Sequence, residues 1–378
     1  MNWLLSVLIA TLGPMWDPPS GSPPKSTAIL EAIEQARQDA GLPALAVAAW
    51  RDGELVFLEA TGVRAMGSET PVTTADRWHL GSCGKAMTAT VVDRLVSEGV
   101  LAWSTTIGEV LPEIEEIDEG WRNVTVRQLV RHRSGLPDDR RPDPALMTRI
   151  RSLDGSQQER RLELVRLVLS EPPSFEPGSR MAYSNHGYTV VSALAERRTG
   201  SDWETLCRTR LFEPLGMASP GFGPPGSIGE IDQPRGHRGG IPLPPSPFAD
   251  NPSVNAAAGT LHSSLEDWGR FLAVHLGRRP DLLSLARLEE LHDGGDEGNY
   301  ASGWVVVDRK WAEGPALTHT GSNGLWFATA WLAPARDWAF CAVTNSASPG
   351  AAEACDRAIG VMIRSFESSE AVNPAGDP

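Results

Sequence analysis

"HLGSCGKAMTAT", residues 79–90, decides how the rest of the chain is read. It holds Lys85, one of only three lysines, with Lys25 and Lys310, among 34 lysines and arginines. The pattern predicts a helix from about Ser82 to Gly99, and a serine at a helix start is ordinarily only an N-cap. Lys85 follows three residues on, so both side chains project from one helix face. A helix N-terminus is electropositive and rich in free N–H groups, a poor place for a lysine kept for its charge. It suits a lysine that must lose its proton, which arginine cannot do in a protein. A neutral Lys85 can take the proton of Ser82 and make it a nucleophile. In a chain that otherwise uses arginine, this S-x-x-K favours catalysis over capping.

A second rarity points the same way. The sequence has three tyrosines, Tyr183, Tyr188 and Tyr300. Tyr183 stands in "FEPGSRMAYSNHGY", where a turn leads into Tyr183-Ser184-Asn185 just before a predicted helix. A phenol near an ammonium can have a lowered pKa and relay a proton, although packing a loop on the core is the commoner role for a lone tyrosine. The Asn185 amide can hydrogen-bond a substrate carbonyl or hold a lysine. A third element, "LTHTGSNGLWFATAWLA", sets His319-Thr320-Gly321-Ser322 just before an apolar strand. Glycine on an edge strand lets a backbone N–H approach a ligand, here the oxyanion of an acyl transfer, together with the Ser82 N–H. The bland alternative is a strand-end turn with a surface histidine.

Composition bounds the partners. A net charge of −14 argues against nucleic acid or an anionic membrane, both of which call for a basic surface. The acidic run 113–119 reads as a solvated face. Cys83, Cys207, Cys341 and Cys355 are widely spaced, form no CxxC, and read mostly as buried thiols, with one disulfide possible. No Cys/His cluster has metal-ligand spacing. The first residues, "MNWLLSVLIATLGPMW", form an apolar run shorter than the roughly 20 residues a membrane span takes. With the Pro/Gly/Ser stretch behind it, residues 1–26 read as a signal peptide and linker of an exported protein, periplasmic or secreted, with a cytoplasmic protein as the alternative.

Along the chain, Ile29, Ile33 and Ala36 mark one face of a first helix, and two strands follow around Arg51-Asp52-Gly53. A helix-rich middle has predicted helices at 125–132, 157–170, 187–198 and 202–211. Residues 215–256, rich in Pro and Gly, read as a long surface loop. Residues 264–276 are helical, strands return in "GWVVVD", "LWFATAWLA" and "WAFCAVTN", and a helix from about Ala351 to Phe366 closes the fold. Strands at both ends predict an α+β fold. A mostly antiparallel sheet is flanked by helices (27–81 and 257–366), an inserted mainly helical part covers 82–256, and 367–378 form a disordered tail. The cleft between the two parts is the natural site.

The three elements, in this order, resemble the serine β-lactamase and penicillin-binding superfamily, especially its class C-like branch, over about residues 27–366. The match is Ser82-Cys83-Gly84-Lys85, Tyr183-Ser184-Asn185 and His319-Thr320-Gly321, supported by "VTVRQLVRHRSGLPDD", "LFEPLGM" and "AAAGTLHSSLEDWGRFL". The resemblance implies an acyl-enzyme mechanism on an ester, amide, peptide or β-lactam. Ser82 would be the nucleophile, Lys85 and Tyr183 the joint proton-transfer pair, and Asn185, His319, Gly321 and Ser322 the substrate-binding residues. It implies an oxyanion hole made by the Ser82 and Ser322 N–H groups and no need of a metal or cofactor, and it points to no stable partner. One departure matters: class C β-lactamases usually have lysine at the position of His319. Histidine there looks more like the related esterases and D-amino-acid peptidases, and is mostly neutral at pH 7. His237-Arg238 in the long loop is a candidate source of the missing charge, although a loop-surface role is the plainer expectation. The alternatives are a true class C-like β-lactamase and a penicillin-binding protein that acylates without turnover.

Overall fold

The computed structural model describes residues 25–140, 143–295 and 298–372, so the N-terminal apolar run lies outside it. The first half of the chain contains α1 (Lys25–Asp39), β1 (Ala44–Arg51), β2 (Glu54–Gly62), β3 (Arg77–His79), α2 (Gly84–Ser97), α3 (Ile107–Val110), α4 (Val126–Val130), α5 (Pro144–Arg151) and α6 (Gln157–Leu169). Next come α7 (Asn185–Thr199), α8 (Trp203–Cys207), β4 (Gly221–Phe222), β5 (His237–Arg238), β6 (Ile241–Pro242), α9 (Ala256–Gly259), β7 (Leu261–Ser264), α10 (Leu265–His275) and α11 (Leu285–His292). The last elements are β8 (Tyr300–Ala301), β9 (Trp304–Arg309), β10 (Gly314–Ser322), β11 (Phe327–Ala333), β12 (Trp338–Thr344) and α12 (Ala351–Val372).

Strands from the two ends of the chain build one antiparallel sheet in the order β2-β1-β12-β11-β10-β9-β8. Alternation along β1 shows why it is apolar throughout. Leu45, Val47 and Ala49 pack beneath α1 and α12, whereas Ala44, Ala46, Ala48 and Trp50 join the larger core on the opposite face. Ile29, Ile33 and Ala36 of α1 are buried, as their spacing predicts. That larger core includes residues of α2, α7 and α10, so the helical part and the sheet share one apolar interior. Its walls meet at the start of α2.

Local chemistry explains the predicted helices. Helix α6 begins where Ser156 accepts from the Glu159 N–H and the Glu159 carboxylate reaches back, a complete capping box. The helix predicted at 202–211 is α8 followed by one π-helical segment, Arg208–Phe212. Helix α12 runs to Val372, past the expected end at Phe366, because nothing in "ESSEAV" breaks a helix before Pro374. Residues 373–378 of the expected tail lie outside the described residues. All four cysteines are buried and free, so no disulfide forms.

Residues 215–256 depart from the simple surface loop. Irregular backbone must still satisfy its polar groups, and this segment does so by hanging buried side chains on the core. His237 is buried: its Nε2 accepts from the Met66 N–H at 2.9 Å and its Nδ1 donates to the Asn345 carbonyl at 2.7 Å. Burial lowers its pKa, so it is a neutral anchor and brings no charge to the cleft. Asp250 and Asn255 of the same segment are also buried.

Candidate active site

Ser82 sits in one 3-10 turn, Gly81–Cys83, that leads directly into α2. The turn starts with Gly81 at φ 51°, a left-handed conformation that glycine adopts without strain. Lys85 is completely buried one turn on. Its Nζ lies 2.9 Å from Ser82 Oγ, 2.7 Å from Asn185 Oδ1 and 2.7 Å from the Ala258 carbonyl. Burial is the dominant cause that lowers its pKa to about 7, against a smaller upward pull from Asp139.

The partners orient the amine. The Ala258 carbonyl can only accept. The Asn185 amide is fixed too, because its Nδ2 donates to the Asp139 carboxylate at 2.8 Å, which turns Oδ1 toward Lys85. A neutral Lys85 has two N–H groups, and these two acceptors take both. Its lone pair is left facing the Ser82 hydroxyl.

The helical part supplies one wall of the site. Asp139, in the loop after α4, accepts from Ser184 Oγ, from the N–H groups of Asn185 and His186, and from Asn185 Nδ2, all within 3.0 Å. His132 has φ 56°, uncommon for a non-glycine residue. Its carbonyl accepts from the Ala182 N–H at 2.8 Å and its Nδ1 from the Ser184 N–H at 3.1 Å. Tyr183 is thus gripped on both flanks, and its ring lies 4.2 Å from the imidazole, centroid to centroid. Tyr188 and Tyr300 pack around the same imidazole at 5.3 and 4.5 Å, so all three tyrosines of the chain converge here.

The Ser82 side chain and Lys85 face the Tyr183 phenol, with Lys85 Nζ 4.9 Å from its ring centroid. The lowered phenol pKa expected from sequence is not found. Burial outweighs the downward pull of the neighbouring Ser82 side chain and pushes the phenol well up, so Tyr183 stays protonated.

The end of β10 supplies the other wall. This strand is interior rather than edge, but its pairing with β9 stops at Thr318, and from His319 onward it pairs only with β11. The turn around Ser82 occupies the vacated side. A Cβ added at Gly321 would lie 2.0 Å from the Leu80 carbonyl oxygen and 2.7 Å from Ser82 N, and one added at Gly81 would lie 2.4 Å from Ser322 N. Two glycines therefore let the backbone around Ser82 N and Ser322 N meet.

His319 is buried, with Nδ1 2.6 Å from the Thr320 carbonyl and Nε2 3.1 Å from Tyr300 Oη. The carbonyl takes the Nδ1 proton, and Nε2 accepts from the phenol. Burial and the nearby Lys85 push its pKa down to about 3, so it is neutral. Ser82, Lys85, Tyr183, Asn185, His319, Gly321 and Ser322 thus come together. Sequence reasoning missed Asp139, His132, Tyr300 and the Ala258 carbonyl; Asp139 and His132 lie in "VTVRQLVRHRSGLPDD", quoted above for resemblance without a role.

The profile of the family described as Beta-lactamase matches residues 30–361. Penicillin-binding protein 4 of Amycolatopsis lactamdurans is 31% identical over 188 residues, 50% of this chain and 46% of that protein. Esterase EstB of Burkholderia gladioli is 30% identical over 200 residues, 51% of this chain and 50% of the esterase. The chain spans about half the length of the curated relatives it matches. Among solved structures, D-amino acid amidase from Ochrobactrum anthropi SV3 superposes with a TM-score of 0.73 at 22% identity, over 92% of this chain and 99% of the amidase. That likeness shows a shared fold over nearly the whole molecule, and the profile match over most of the sequence shows that the chain belongs to the Beta-lactamase family.

Proposed function

We propose that the protein is a serine hydrolase that works through an acyl-enzyme on a small ester or amide. Ser82 attacks the carbonyl carbon while its proton passes to the Lys85 lone pair. The carbonyl oxygen becomes an oxyanion between the Ser82 and Ser322 N–H groups. As the tetrahedral adduct collapses, Tyr183 gives its phenol proton to the departing alcohol or amine and is reprotonated by the Lys85 ammonium. Water then attacks the acyl-enzyme, its proton taken by the same pair; as the bond from the acyl carbon to Ser82 Oγ breaks, that proton returns to Oγ and the acid leaves. The observation that supports this most is the aim of the amine: two acceptors claim its N–H groups and leave its lone pair on Ser82.

His319 bears on the substrate. Neutral, with both ring nitrogens engaged inside the protein, it offers no cation to a substrate carboxylate. The reading is therefore an esterase or amidase of uncharged groups rather than an efficient β-lactamase. The test is one panel on purified protein: p-nitrophenyl acetate and butyrate, D-alanine p-nitroanilide and nitrocefin, each with Ser82→Ala. Ester or anilide turnover that vanishes in Ser82→Ala, with nitrocefin much slower, is the expected result. Turnover that survives the substitution, or none on any of the three classes, overturns the reading.

A further inference from the structure

A buried carboxylate stands behind the Ser82 turn, and the mechanism above does not use it. Asp250, in the segment before α9, has its side chain 3% exposed, and His79, at the end of β3, is fully buried with Nε2 2.8 Å from Asp250 Oδ1. The contact is bent. Among the described residues neither His79 Nε2 nor Asp250 Oδ2 has a hydrogen bond of good geometry. Oδ1 takes the donors, the Asn251 N–H at 2.7 Å among them, and Oδ2 takes none. A buried carboxylate held through one oxygen is costly to keep, and apolar residues of similar size would pack there at less cost. Such violations concentrate where function requires them.

The neighbours show what the carboxylate holds. His79 Nδ1 accepts from the Gly81 N–H at 3.1 Å, which fixes the turn that presents Ser82 N. The same Asp250 Oδ1 accepts from Asn323 Nδ2 at 3.0 Å, and Asn323 directly follows Ser322. The next residue, Asn251, donates through Nδ2 to the Gly259 carbonyl at 2.8 Å. Gly259 in turn packs on the turn, where an added Cβ would lie 3.3 Å from Ser82 N. One short stretch, Asp250-Asn251, therefore ties together the turn bearing Ser82, the end of β10 bearing Ser322, and the back of the turn.

Resting on the hydrolase reading, we propose that Asp250 is a positioning residue that sets the spacing between the Ser82 and Ser322 N–H groups, through His79 on one side and Asn323 on the other. It touches no reacting atom. Its effect falls on the transition state, where both donors must reach one oxygen, and not on substrate docking. A misplacement on the order of 1 Å in such a pair costs up to about 100-fold in rate.

The experiment compares Asp250→Ala, Asp250→Asn and Asn323→Asp with wild type in ester turnover, phenylboronic acid affinity and thermal unfolding. The boronate forms a tetrahedral adduct and reads the donor pair even where no ester is turned over. Asp250→Ala is expected to lose about 10- to 100-fold in kcat with KM within threefold, and to lose boronate affinity in parallel. Asp250→Asn keeps an oxygen at Oδ1 and recovers most of both. Should Asp250→Ala fail to fold, Asn323→Asp decides. It keeps the oxygen that accepts from the Leu325 N–H but turns a carboxylate on Asp250 in place of a donor, and is expected to show the same split. A folded Asp250→Ala or Asn323→Asp with wild-type kcat and boronate affinity overturns the proposal. A wild type with no Ser82-dependent turnover overturns the hydrolase reading instead, and the boronate comparison still decides the role of Asp250.

Discussion

The two walls of the cleft are built by opposite means. On the helical side, Tyr183 and Asn185 are held by side chains: the Asp139 carboxylate gathers four donors, and His132 grips the residues before and after Tyr183. On the sheet side, the end of β10 meets the Ser82 turn through bare backbone, with Gly321 and Gly81 leaving no space between them. The difference teaches where each wall is vulnerable. Removing atoms should damage the helical wall, whereas the seam of the sheet wall, tied only from behind by Asp250, should be damaged by atoms added at its glycines. Lys85, at the junction, belongs to both.

The largest effect should come from that junction. Lys85→Arg keeps the positive charge but provides no lone pair, since a guanidinium is not deprotonated in proteins. It should lower kcat/KM by at least about 1000-fold, within the range seen when a base of this kind is lost. Near-normal acylation in this variant would remove Lys85 as the base. The wild-type pH profile checks the same point. The working form is the neutral amine, with its pKa lowered to about 7, so kcat/KM should be flat above pH 7 and fall about tenfold per unit below it. A flat profile from pH 5.5 to 9 would contradict the assignment.

On the sheet wall, Gly321→Ala adds one carbon 2.0 Å from the Leu80 carbonyl oxygen and 2.7 Å from Ser82 N. Both neighbours are backbone, so the strand and the turn must separate. Overpacking of this kind costs about 1–3 kcal/mol, seen as a lower melting temperature. The separation also pulls the two N–H groups apart, and kcat/KM should fall about 100-fold in the protein that remains folded. Unchanged kinetics would show that this backbone contact does not set the site.

The helical wall predicts a smaller loss that can be rescued. His132→Ala removes the acceptor for the Ser184 N–H and the face on which Tyr183 rests, and should cost about 10- to 50-fold in kcat. His132→Asn should recover much of it. Asparagine tolerates φ near 56°, and its amide oxygen can stand where Nδ1 accepts. If the alanine and asparagine variants behave alike, the ring packs the loop without positioning Tyr183.

The same contrast governs what the sequence disclosed. Ser82 and Lys85 are three residues apart on one helix, so their meeting follows from helical geometry alone. Rarity singled out Lys85 and Tyr183, and glycine next to a strand singled out Gly321. The apolar strands at the chain ends were legible because both faces of the sheet are buried. Asp139 was not legible, since its partners lie 46 residues away at Asn185 and the pairing depends on how the loop after α4 folds back. Nor was β10 as an interior strand: polar Thr318, His319 and Thr320 obscure its pattern. Nor is the phenol pKa legible, because the nearby amine is visible in the motif whereas the degree of burial is not.

His319 offers the smallest effect and the sharpest test of whether the two walls act separately. In His319→Lys, an ammonium replaces a neutral ring that coulombic coupling already links to Lys85. Two amines in one buried site disfavour each other's charged form, so the acid limb of the pH profile should move below pH 7. On the proposed reading, the longer side chain from the sheet wall also brings a cation toward a substrate carboxylate. The kcat/KM ratio of nitrocefin to p-nitrophenyl acetate should rise several-fold, because only nitrocefin has a carboxylate to attract. If the limb moves while the ratio stays constant, residue 319 tunes Lys85 alone. If the ratio rises with the limb unmoved, the sheet wall selects substrates independently of the helical one.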